Sequence, residues 1–242
     1  MIPTLLAGFP LGSSLGLVAA FEWLGKPYRL SRIRMPDDLS TDSYARLNGR
    51  QETPVLISDG GPLTETMAIA LWLEVRDLER RISFQPGSPQ ADRLHQFMGF
   101  LNSSFTASFS PLWAALEMKG VSDDFRETLR KFGRGAVAKR HRQLETMMGD
   151  CKYLLGDHPT LADALFIGVA RWADFHQAID PAMFPRVLAL RERLKADPAI
   201  QFAHAIEDGV PASGTGAMAK LVPVEEILDD DAFRGLTDRR PM

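Results

Sequence analysis

Three short stretches of this chain bring together residue types that can hold and activate a small charged ligand. In Phe9-Pro10-Leu11-Gly12-Ser13-Ser14 an apolar run gives way to a strand-to-helix turn. Its two hydroxyls fall at the positive end of the helix dipole, where backbone N–H groups favour a thiolate or a carboxylate. Simple N-capping by Ser13 or Ser14 is the alternative. In Glu52-Thr53-Pro54-Val55-Leu56 a proline stands directly before a strand. A trans bond is the default there, but a cis Pro54 would turn the backbone of Thr53 outward and free its N–H and C=O for an extended, peptide-like ligand. In Thr64-Glu65-Thr66 polar residues open an apolar helix. They serve either as a cap or as a clamp for a zwitterionic amino-acid group, with Glu65 taking the ammonium and Thr66 and the helix end taking the carboxylate.

Other chemistry is poorly provided for. The histidines at 95, 141, 158, 176 and 204 never fall in a metal-ligand spacing, and Cys151 is the single cysteine, so neither a metal site nor a Cys-x-x-Cys redox motif is expected. Gly214-Thr215-Gly216 lacks a preceding strand and a third glycine, and reads as flexible linker rather than phosphate loop. With 28 basic against 31 acidic residues, the net charge of −3 offers no basic surplus for nucleic acid or an anionic membrane. Apolar types at 45% and charged types at 24% match soluble domains and exclude disordered or fibrous chains. Residues 1–21 lack a basic segment and are broken by Pro3, Gly8, Pro10 and Gly12, which argues against a secretory signal. Nothing elsewhere approaches the roughly 20 apolar residues of a membrane span. A soluble, cytoplasmic protein is expected, its lone cysteine suiting a reducing compartment.

The elements that must position these stretches follow from periodicity. Pro3 to Ala7 reads as a buried strand, Ser13 to Leu24 as a helix stopped by Gly25, and Tyr28 to Ile33 as a second strand followed by a polar loop around Pro36 to Thr41. Val55 to Ile57, Asp59-Gly60-Gly61 and Pro62-Leu63 read as a hairpin, and Met67, Ala70, Leu71 and Leu78 recur at helical spacing. The order is β-α-β, then β-β-α. Prolines, glycine and serines over 82–89 separate this region, 1–81, from one without strand signals, 90–206. There Ser88-Pro89 starts a helix that Pro111 should kink or end; Phe125 to Met148, Leu161 to Trp172 and Phe184 to Leu194 give three more. The tail, 207–242, is glycine-rich and acidic, with a short helix from Val224 to Phe233, and is expected to pack loosely.

Taken together, Thr53-Pro54-Val55-Leu56, Glu65-Thr66-Met67-Ala68-Ile69, Leu154-Leu155-Gly156-Asp157 and Thr160-Leu161-Ala162-Asp163 resemble the glutathione transferase superfamily, in its order and spacing, over about residues 3 to 205. Pro10-Leu11-Gly12-Ser13-Ser14-Leu15 and Phe109-Ser110-Pro111-Leu112 look most like bacterial beta-type members. The resemblance implies a thioredoxin-like first domain that binds glutathione as co-substrate, an all-helical second domain that completes a pocket for a small hydrophobic electrophile, and a homodimer. It implies that Thr53, before a cis Pro54, bonds the cysteinyl backbone of glutathione, and that Glu65 and Thr66 hold its γ-glutamyl end. Thr160 and Asp163 match the family's helix capping box. Arg50 or Gln51 are candidates for the glycyl carboxylate, with a solvated loop as the alternative.

The catalytic position departs from the beta-type pattern. Counting back from Gly25-Lys26-Pro27-Tyr28, Ser13 falls where beta-type members carry a cysteine, and Ser14 where zeta-type members carry an active serine. The expected activity is therefore conjugation of a serine-activated glutathione thiol to the electrophile, with Ser13 ahead of Ser14. The rival is a binding or protein-interaction scaffold that keeps the fold without turnover.

Overall fold

The apolar run after Pro3 becomes the central strand of a sheet. The structure, a computed structural model, describes residues 1–229. All six residues of β1 (Thr4–Phe9) are buried, as a middle strand covered on both faces must be. β1 runs parallel to β2 (Tyr28–Arg34) and antiparallel to β3 (Val55–Ser58), and β3 pairs antiparallel with β4 (Gly61–Thr64). Helix α1 (Leu15–Leu24) connects β1 to β2 and ends at Gly25, whose left-handed φ of 71° lets its N–H reach the Phe21 carbonyl. The short α2 (Asp42–Leu47) follows β2, and its first turn is capped by Thr41, whose hydroxyl accepts the Tyr44 N–H. After β4 comes α3 (Thr66–Arg76). This is the mixed-sheet, thioredoxin-like first unit expected from the sequence.

Residues Ser83–Ala196 form a second compact unit, all helical in its regular elements. It comprises α4 (Pro89–Gly99), α5 (Ser110–Glu117), α6 (Asp123–Met147), α7 (Leu161–Ala170), α8 (Trp172–Phe175) and α9 (Pro185–Lys195). Ser88 caps α4 by accepting the Ala91 N–H, with Pro89 in the first turn. After Gly99 the chain passes through a π-helical segment, Phe100–Phe105, and a 3-10 turn, Thr106–Phe109. Pro111 then lies in the first turn of α5, where its missing N–H is harmless. Packing here is close: a Cβ on Gly133 of α6 would lie 2.7 Å from the Leu112 side chain. Phe105 and Phe166 are buried together, and His141 is buried between Phe105 and Phe184. The expected capping box opens α7, where Asp163 accepts from the Thr160 N–H at 2.8 Å, the Thr160 hydroxyl at 2.9 Å and the Leu154 N–H at 3.0 Å.

The chain after Asp197 departs from the expected limits of 90–206 and 207–242. The described residues from Asp197 onward belong with Met1–Ile82. Helix α10 (Pro198–Asp208) packs on α1. Strand β5 (Met218–Leu221) then adds to β2 in parallel, extending the sheet order to β4-β3-β1-β2-β5. α11 (Val224–Asp229) follows, and the remainder of the expected helix to Phe233 lies outside the described residues. The expectation of loose packing is overturned because Val222, Ile227 and Leu228 are buried in one core with Leu6, Ile33, Tyr44 and Val55. Each such side chain contributes about 1.5–3 kcal/mol on burial. The expected linker Gly214-Thr215-Gly216 is also anchored. The Thr215 N–H and hydroxyl donate to the buried Glu22 carboxylate at 2.6 and 2.7 Å, and the Tyr28 hydroxyl donates to the same carboxylate at 2.8 Å. A Cβ on Gly214 would fall 2.4 Å from that carboxylate. A buried carboxylate needs several donors, and the tail supplies two of them.

Candidate functional site

The first unit gathers most of the candidate side chains at one end of its sheet. The Thr53–Pro54 bond is cis. Among the described residues the Thr53 N–H and C=O have no hydrogen-bond partner, so an extended ligand can take both. The Thr53 hydroxyl instead donates to the Met35 sulfur at 3.4 Å. This packing leaves no room for a side chain on Gly8, where a Cβ would lie 2.2 Å from the Thr53 hydroxyl.

Upstream of Thr53 the loop is tethered by two residues that sequence reasoning did not assign. The Tyr44 hydroxyl and the Asn48 amide both donate to the Glu52 carbonyl, at 2.7 and 2.8 Å. Tyr44 and Asn48 stand four apart at the end of α2, a spacing that places both on one side of a helix and was the available signal.

Glu65 stands immediately before α3 with φ of 76°, a left-handed backbone rare for a residue with a Cβ. Its side chain makes no cap, so the capping alternative is not realised, and the first N–H groups of α3 are open to an anion. The exposed carboxylate instead accepts from Arg50 Nη2 at 2.5 Å, and the same guanidinium reaches the Thr64 hydroxyl at 3.2 Å. Thr53, Pro54, Thr64, Glu65 and Thr66 line one small cavity of about 40 Å³ together with Arg50 and Glu52. Gln51 lies outside this lining, exposed and at φ of 55°.

The two serines of the β1–α1 turn have different surroundings. Ser14 is fully buried; its hydroxyl accepts the Gly8 N–H at 2.9 Å and donates to the Gly8 carbonyl at 3.3 Å. It closes the turn rather than capping α1. Ser13 is half-buried, and its hydroxyl sits 3.2 Å from that of Thr66. The structure thus links Ser13 to the cavity through Thr66 and keeps Ser14 beneath it. Chemically, the arrangement offers an open peptide edge at residue 53, an acid with two hydroxyls at the start of α3, and a hydroxyl beside the amino end of α1. Among the described residues no group of His, Cys, Asp and Glu side chains could hold a metal ion, and no helix is long and apolar enough to cross a membrane.

Comparison with known proteins identifies the two domains. Residues 14–76 match the model of the glutathione S-transferase N-terminal domain, and residues 105–198 that of the C-terminal domain. Glutathione S-transferase GstA of Escherichia coli O157:H7 is 22% identical over 167 residues, covering 69% of this chain and 79% of that protein. Elongation factor 1-gamma of Schizosaccharomyces pombe is 31% identical over 117 residues, 48% of this chain but 28% of that longer protein. A sphingomonad glutathione S-transferase, solved in complex with glutathione, superposes with a TM-score of 0.71 at 22% identity, over 85% of this chain and 98% of that one.

Proposed function

The chain belongs to the glutathione transferase superfamily, and from that premise we propose that it binds glutathione in the first unit and transfers its sulfur to a small hydrophobic electrophile. In this reading the cysteinyl backbone of glutathione pairs with Thr53 beside the cis Pro54. Glu65 takes the γ-glutamyl ammonium, and Thr66 with the start of α3 takes its carboxylate. The observation that carries the reading is the 3.2 Å approach of the Ser13 and Thr66 hydroxyls, which sets a donor next to the proposed γ-glutamyl site.

Ser13 would donate its hydroxyl hydrogen to the sulfur and so stabilise the thiolate. A thiol with a reference pKa of about 8.5 is only a few per cent ionised at neutral pH, and lowering it by about two units requires roughly 2.7 kcal/mol. One hydrogen bond to a charged acceptor contributes about 1.5–3 kcal/mol, and the helix dipole adds about 0.3–1 kcal/mol, so the two together suffice. Ser14 is the weaker candidate because both hydrogen-bonding directions of its hydroxyl are used on Gly8. In the second unit, the half-buried Trp113 stacks on the exposed Phe175 and meets Trp172 edge-on, an aromatic surface that favours an apolar electrophile. Exposed Leu71, Val75 and Leu78 on and just beyond α3 support a homodimer.

The alternative, a scaffold without turnover, is favoured by the Arg50–Glu65 ion pair, which occupies the carboxylate meant for the ammonium. The two readings separate by calorimetric titration with glutathione and by product analysis with chlorodinitrobenzene as probe electrophile. Conjugation by the wild type, with binding abolished in Glu65→Ala, supports the transferase. Binding without any conjugate supports the scaffold, and no binding removes both the site and the activity.

A further inference from the structure

The turn that presents Ser13 is held from a distant part of the chain. Leu11, two residues before Ser13, has φ of 62°, a left-handed conformation that a side chain with a Cβ rarely takes. Gly12 beside it is equally constrained, since a Cβ there would fall 2.1 Å from the Gly8 carbonyl oxygen. The segment has no slack: a change at Leu11 must be passed to Gly12 and then to Ser13.

The Leu11 N–H donates to Glu207 Oε1 at 2.7 Å, across 196 positions of sequence. The Glu207 side chain is only 9% exposed, so its carboxylate is largely withdrawn from water and its hydrogen bond is charge-assisted. The end of α10 that carries it is itself fastened. Arg32 of β2 donates Nε to the Ile206 carbonyl at 2.9 Å and Nη2 to the Glu207 carbonyl at 2.6 Å, and Gly209 closes the helix at φ of 69°. His204 Nδ1 lies 3.5 Å from Glu207 Oε2, while the Arg32 guanidinium takes the Glu207 main-chain carbonyl.

We infer that Glu207 is a positioning residue for Ser13: the carboxylate clamps Leu11 in its left-handed conformation and thereby aims the serine hydroxyl. The inference rests on the reading of Ser13 as donor to the glutathione sulfur. It places a determinant of that chemistry on α10, outside every stretch that the sequence singled out. The groups assigned to glutathione affinity, Thr53, Glu65 and Thr66, lie before β3 and at the start of α3, outside this turn, so losing the clamp should impair activation and spare binding.

The test compares Glu207→Ala, Glu207→Gln, Leu11→Gly and the Leu11→Gly/Glu207→Ala double variant. Glu207→Ala should raise the thiol pKa of bound glutathione by about one unit and so reduce its thiolate absorbance at neutral pH about threefold, while the calorimetric Kd for glutathione moves by less than about threefold. Glu207→Gln should retain most of the signal, because its amide oxygen can accept the same N–H. The double variant should recover to within about twofold of Leu11→Gly, since glycine takes positive φ without help. In the glutathione-free protein, hydrogen exchange at the Leu11 amide should quicken about tenfold in Glu207→Ala. Unchanged Leu11 exchange would overturn the inference, as would a loss of thiolate that Leu11→Gly fails to reverse. A wild type that binds glutathione with no thiolate would refute the transfer chemistry, and the exchange measurement would still decide whether Glu207 holds the turn.

Discussion

The helix starts that carry a capping-type residue contrast with one another. Those of α4, α6, α7 and α10 are closed by their own side chains: Ser88, Ser122, the Thr160–Asp163 box and Asp197 each accept backbone N–H groups. Those of α1 and α3 are not, although Ser14 and Glu65 stand at their caps. A capping side-chain oxygen satisfies the N–H groups of a helix start, whereas a start without one, as also at α5, α8 and α9, leaves them to the backbone or to an anion. At α1 the Leu15 and Gly16 N–H groups turn back to the Gly12 and Ser13 carbonyls at 3.4 Å, so of the two starts beside the Ser13–Thr66 contact α3 is the open one. The contrast teaches that a serine or acid before a helix is not one signal but two, and that the rest of the fold decides which.

Asp163→Ala should cost about 3 kcal/mol in a urea melt, because it removes the acceptor of three buried donors; a loss below about 1 kcal/mol would break the distinction.

A second effect belongs to the closed core of the helical unit. Burial pushes the His141 imidazole down to about 4, while its Nδ1–H donates to the Val137 carbonyl at 2.9 Å and its Nε2 has no partner among the described residues. The unfolded chain takes up a proton near the ordinary value of about 6.5, and the folded chain does not until near 4. Stability should therefore fall as the pH drops through that window, by about 2 kcal/mol at about pH 5 from this residue alone. His141→Phe should flatten that dependence in melts across the range.

Ser14→Ala should destabilise by about 1.5 kcal/mol by leaving the Gly8 N–H unpaired, whereas Ser13→Ala should leave the melt within about 0.5 kcal/mol. Equal costs at the two positions would erase the difference between them. The smallest effect is expected from Glu65→Gly. Relief of the left-handed backbone should stabilise the protein by about 0.5 kcal/mol net of the entropy that glycine adds to the unfolded chain, while glutathione affinity falls in calorimetry.

Much of the architecture was legible because it is written in short-range patterns. The Thr-x-x-Asp spacing at 160–163 predicts the capping box, Ser88-Pro89 predicts the start of α4, and the apolar run of β1, the alternation of β2 and the Asp59-Gly60-Gly61 turn between β3 and β4 predict the sheet. What could not be read rests on partners far away in sequence. β5 is four residues with no period of its own and exists by pairing with β2; the Thr215–Glu22 contact spans 193 positions. α2 is too short for its periodicity to stand out beside the polar loop before it. At the candidate site, the cluster of Thr53, Pro54, Glu65 and Thr66 was legible from type and spacing. The separate surroundings of Ser13 and Ser14 were not, since adjacent hydroxyls look alike until Gly8 and Thr66 are placed around them.

The central claim is that the Ser13 hydroxyl supports the thiolate of bound glutathione. Ultraviolet difference absorbance of glutathione bound to the wild type and to Ser13→Ala tests it most directly. The account predicts a thiolate signal in the wild type at neutral pH and its loss in Ser13→Ala, with glutathione still bound. Bound glutathione that remains a thiol in the wild type, or a signal undiminished by Ser13→Ala, would contradict it.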